Sequence, residues 1–124
     1  MEEVSFIHTE RGDDLIVSFA ILGPEPMEVK SLTLLRTPKY EFILGADERG
    51  VTVSFDDFPD EDRDLLRALA IWEGKIEIVT GQHRYLLNVR KVDEEDMQEA
   101  QEVLKRMNFI STFSCISSRR RTIQ

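Results

Sequence analysis

Cysteine occurs once in this 124-residue sequence, at Cys115, which excludes an intrachain disulfide framework and any multi-cysteine zinc site. Long apolar runs are missing as well. The longest candidate, Leu15 to Leu22, is interrupted by Ser18 and falls short of the roughly 18–20 residues a helix needs to span a bilayer. The opening Met1-Glu2-Glu3 has neither the basic nor the apolar stretch of a secretory signal, so the expected location is the cytoplasm, with no membrane partner. Positive charge is scarce: 16 Lys and Arg face 24 Asp and Glu, a formal net charge of −8. That balance argues against nucleic-acid binding, whose affinity comes largely from Lys and Arg on phosphates.

Catalytic signatures are also lacking. The sequence has no G-x-S-x-G nucleophile elbow and no glycine-rich phosphate loop. His8 and His83, the only histidines, are far apart and show no short metal-ligand spacing. Cys115 sits in Phe113-Ser114-Cys115-Ile116 with no nearby histidine to activate it. No catalytic residue, metal site or cofactor is therefore assigned, and a non-catalytic role is favoured over an enzymatic one.

What is present is a globular composition. Hydrophobic residues make up 41% of the chain and include seven Phe, enough to build one core. Alternating patterns mark strands at Val4 to His8, Leu15 to Leu22, Val29 to Thr37, Val51 to Phe55, Lys75 to Thr80 and His83 to Val92. Lys39 to Leu44 also alternates, with Tyr40, Phe42 and Leu44 inward and Lys39, Glu41 and Ile43 outward. Pro59 and the acids after it, followed by Leu65, Leu69 and Trp72 at helical spacing, predict a helix ending at Glu73-Gly74. A second helix is predicted after Asp93 as its cap, with Met97, Ala100, Val103, Leu104 and Met107 as its apolar face. The expected fold is α+β: a mostly antiparallel sheet of six or seven strands with two amphipathic helices on one face. Residues 1–108 form the expected single domain, and 109–124 a Ser-rich, partly apolar extension with a basic end.

Charge is concentrated rather than spread. Asp56, Asp57, Asp60, Glu61, Asp62 and Asp64 form the densest acidic cluster. Asp60, Asp62 and Asp64 fit the first three ligand positions of an EF-hand loop, but Leu65 stands where Gly is needed and Ile71 where Glu is needed. The cluster is better read as an acidic helix entrance and a surface for a basic protein partner. Arg119, Arg120 and Arg121 offer a separate basic contact. The expected function is that of a non-catalytic protein-interaction domain (an inhibitor, immunity-type protein or regulatory subunit) using an acidic surface. Two alternatives remain. One is a small-molecule-binding domain or minor enzyme with a pocket between sheet and helices; the other is nucleic-acid binding through the exposed sheet face carrying Arg84 and Arg90. A free sheet edge would also permit a homodimer.

Overall fold

The computed structural model describes residues 1–59, 63–108 and 112–117. Its strands are β1 (Glu2–Arg11), β2 (Leu15–Leu22), β3 (Val29–Arg36), β4 (Thr52–Phe55), β5 (Leu66–Trp72), β6 (Lys75–Thr80), β7 (Arg84–Asn88) and β8 (Ser114–Ser117), with one helix, α1 (Glu94–Met107), between β7 and β8. The strands form a single mixed sheet in the order β4-β3-β2-β1-β7-β6-β5-β8. Hairpin neighbours pair antiparallel, whereas β1 runs parallel to β7 and β5 parallel to β8. The sheet curls until β4 meets the start of β5. Thr52 bridges Leu65 there, Val53 N–H donates to the Asp64 carbonyl at 2.9 Å, and Leu66 N–H donates to the Val51 carbonyl at 2.8 Å.

The interior follows from strand parity. Val17, Phe19 and Ile21 of β2 face Leu32 and Leu34 of β3, while Ile76, Ile78 and Leu87 line the other half. The helix packs on β1 and β2, and Ala100, Val103, Leu104 and Met107 join the same core. Among the described residues no helix is long and apolar enough to cross a membrane.

Three expectations need correction. The sheet is mixed and eight-stranded rather than a mostly antiparallel one of six or seven strands, because β7 and β8 return beside β1 and β5 in parallel, β8 adding a strand from the segment after α1. The first predicted helix does not form: its second half is β5. A register shift between Leu66 and Ala68 puts Leu66 and Leu69, three residues apart, on the same buried face. A strand bulge thereby imitates helical spacing. Lys39 to Leu44 is not a strand either. Pro38–Ile43 is a 3-10 helix with Pro38 in its first turn; it turns Glu41 inward and Tyr40 and Phe42 outward, against the expected orientation, while Lys39 and Ile43 face out as expected. The second predicted helix is α1, with Asp93 at its N-cap position but without a side-chain cap hydrogen bond.

Candidate functional site

Arg36 is the last residue of β3 and keeps the inward parity of Leu32 and Leu34, so its guanidinium enters the molecule at the sheet's end. Only 1% of Arg36 is exposed. A charge so buried requires partners, and Glu41 supplies them in a bidentate fork. Arg36 Nε donates to Glu41 Oε2 at 2.7 Å, and Nη2 donates to Oε1 at 2.8 Å. Nη1 donates to the Met107 carbonyl at 2.6 Å and to Thr112 Oγ1 at 3.3 Å. One side chain thus ties β3, the 3-10 helix, the end of α1 and the approach to β8. The guanidinium holds the Glu41 carboxyl below the usual carboxylate range, against the opposing effect of burial. Gly50 N–H also donates to Glu41 Oε2, at 3.4 Å, from a backbone with φ of +138° that favours glycine.

With Glu41 drawn inward, its neighbours must point out. Tyr40, Phe42 and Ile43 are 54%, 76% and 69% exposed, an apolar projection on a turn that is anchored from within. Exposed acids lie beside it, together with the Lys39 ammonium 5.2 Å from the Tyr40 ring centroid. Asp14 accepts from the Thr37 hydroxyl at 2.6 Å, Asp13 pairs with Lys39 at 2.9 Å, and Asp47 and Glu48 lie on the next 3-10 turn, Ala46–Glu48. Glu99 of α1 reaches the same end of the sheet through its 2.9 Å ion pair with Arg11. Large apolar side chains grouped within a charged rim are what protein interfaces present, and a surface without a partner rarely leaves them together.

Of the expected acidic cluster, the described members Asp56, Asp57 and Asp64 do not share one surface. Asp56 accepts from Ser31 N–H at 2.9 Å, and Asp57 pairs with Lys30 at 3.0 Å, so both fasten the turn after β4 to β3. Asp64 is buried: it accepts from the Thr80 hydroxyl and from Gln82 N–H, holding the β6–β7 turn. Asp60, Glu61, Asp62, Arg119, Arg120 and Arg121 lie outside the described residues. Asp64 is therefore a structural group rather than a surface one.

A second feature is aromatic. Phe58 stacks on His83 with ring centroids 4.3 Å apart and planes 2° from parallel. Phe55 meets both Phe58 and Tyr85 edge-on. Beside them lies a depression of about 350 Å³ lined by Phe55, Phe58, Pro59, Arg63 and Tyr85 among others. On the outer sheet face, Arg84 pairs with Glu77 at 3.2 Å, while its neighbour Tyr85 is buried. Cys115 lies on β8, where partial desolvation pushes its thiol above the ordinary value and away from thiolate chemistry. Among the described residues no group of three or more His, Cys, Asp or Glu is placed to hold a metal ion.

Sequence reasoning missed Tyr40 and Phe42 as surface residues, although it placed Ile43 outward. One signal was available: Pro38 opens a helical turn well, since its missing N–H costs nothing there. No family model matches the chain, and neither does any curated protein or solved structure.

Proposed function

We propose that this chain is a non-catalytic protein-interaction domain that engages a basic partner through the acid-rimmed projection Tyr40 to Ile43. The observation that carries this reading is the exposure of Phe42 and Ile43 on a turn locked by a buried ion pair. A pre-ordered aromatic anchor loses little conformational freedom on docking, and large side chains at the centre of an interface supply most of its affinity. Asp13, Asp14, Asp47 and Glu48 would steer a partner with a basic rim around an apolar pocket. The direct test compares affinity pull-downs of the wild type, Phe42→Ser and the Asp47→Lys, Glu48→Lys double variant. Partners lost from both variants support the reading, whereas identical partner sets from all three remove it.

The aromatic depression favours a second reading, binding of a small planar molecule. Phe58 and His83 already form a parallel stack at its edge, and Arg63 offers a charged contact for an anionic substituent. A panel of planar aromatic acids that raises the melting temperature of the wild type but not of Phe58→Ala would favour it. No shift with any member would discard it.

A further inference from the structure

We propose that a groove beside Trp72 receives this chain's own C-terminal segment, residues 118–124. The groove has a volume of about 560 Å³ and lies between the β5–β6 turn, the end of β7 and the first turns of α1. Trp72, Val92 and Met97 supply its apolar lining, and Glu73 and Glu94 its acids; Arg90 occupies the wall against Gly74. Three observations select the occupant. β8 runs parallel to β5 and its last pair is Ile71 with Ser117, so the chain leaves β8 heading toward Trp72 and Glu73. The segment that follows carries Arg119, Arg120 and Arg121 and then Ile123, charge and apolar groups complementary to the groove. Seven residues extended at about 3.3 Å each reach roughly 23 Å. The groove wall from Glu94 to Gln101 is only about 10 Å long at 1.5 Å per helical residue. The tail is thus long enough to lie along the wall and place arginines against Glu73 and Glu94.

Trp72 is the only tryptophan, so its fluorescence reports on the groove alone. The experiment compares emission and acrylamide quenching of the full chain with those of the Arg119→Ser, Arg120→Ser, Arg121→Ser variant, at low and at high salt. Docking predicts a red shift and stronger quenching in the variant. High salt should move the wild type toward the variant, because exposed ion pairs are screened. A synthetic peptide of residues 118–124 added to the triple variant should restore the wild-type emission. Its affinity should fall roughly three- to tenfold in a Glu73→Gln, Glu94→Gln background, the factor two partly exposed ion pairs supply. Identical spectra for wild type and triple variant overturn the proposal. So does a peptide that leaves Trp72 unchanged, or a difference that appears only as protein concentration rises, which would place the tail in a second copy.

Discussion

Among the described residues two carboxylates are buried, and they are held in different ways. Glu41, 8% exposed, faces a formal charge: the guanidinium of Arg36 grips both its oxygens. Asp64, 5% exposed, has a hydroxyl and a backbone N–H from the β6–β7 turn as hydrogen-bond donors. The first joins segments distant in sequence, since Arg36 also bonds the Met107 carbonyl and Thr112. The second closes a local turn onto the strand beside it. A buried charge pair is costly to break from one side, because removing a partner strands the other charge without water. A carboxylate held by neutral donors leaves behind only unsatisfied donors when it is removed.

The sharpest test of that difference is Arg36→Met. It should cost about 3–5 kcal/mol in urea denaturation, as breaking a buried pair from one side does. Adding Glu41→Leu should recover a large part of that loss, because the stranded charge is then gone. If the double variant is as unstable as the single one, the pair is not the source of the cost.

Protons remove the same interaction without mutation, so their effect is bounded by that of Arg36→Met. Glu41 has a folded pKa below its unfolded value, so its stabilisation is fully present above the ordinary carboxylate range. It is lost as pH falls through the folded pKa. The stability difference between wild type and Glu41→Gln should therefore shrink as denaturation is repeated from pH 7 into acid. A difference independent of pH would contradict the ionic role.

Asp64→Ala should cost less than Arg36→Met, about 1–3 kcal/mol, by removing two hydrogen bonds and leaving the Thr80 hydroxyl only the His83 carbonyl and Gln82 N–H only Thr80 Oγ1, each at 3.2 Å. Its hydrogen exchange should rise first at the β6–β7 turn rather than across the sheet. A loss as large as that of Arg36→Met would erase the contrast between the two carboxylates.

The smallest change is Phe42→Ser, on the outer side of the Arg36–Glu41 clasp. With Phe42 76% exposed, its stability should stay within about 0.5 kcal/mol of wild type. A larger loss would mean that Phe42 supports the clasp itself and is not a free projection.

Much of the fold was legible because burial leaves a period. The strict alternation of β3, β6 and β7 and the 3.6-residue stripe of α1 each identify an element that buries one face. Where that period was broken, the reading failed. The register shift in β5 spaced Leu66 and Leu69 like a helix. Between Tyr40 and Leu44 the apparent alternation put Glu41 outward, when a partner five residues upstream draws it in. Asp64 looked like a member of an acidic surface run because its donors, Thr80 and Gln82, lie sixteen and eighteen residues away.

By itself the sequence determined that this is an acidic α+β chain with a helix following Asp93, strands with clear inward faces, and no recognised catalytic motif. Local propensity and hydrophobic period suffice for that, since both act over a few neighbouring residues. Only the tertiary structure decided which acids are buried, which aromatic side chains project, and where β8 leaves the sheet. Those outcomes depend on partners far along the chain, and no short-range pattern records them.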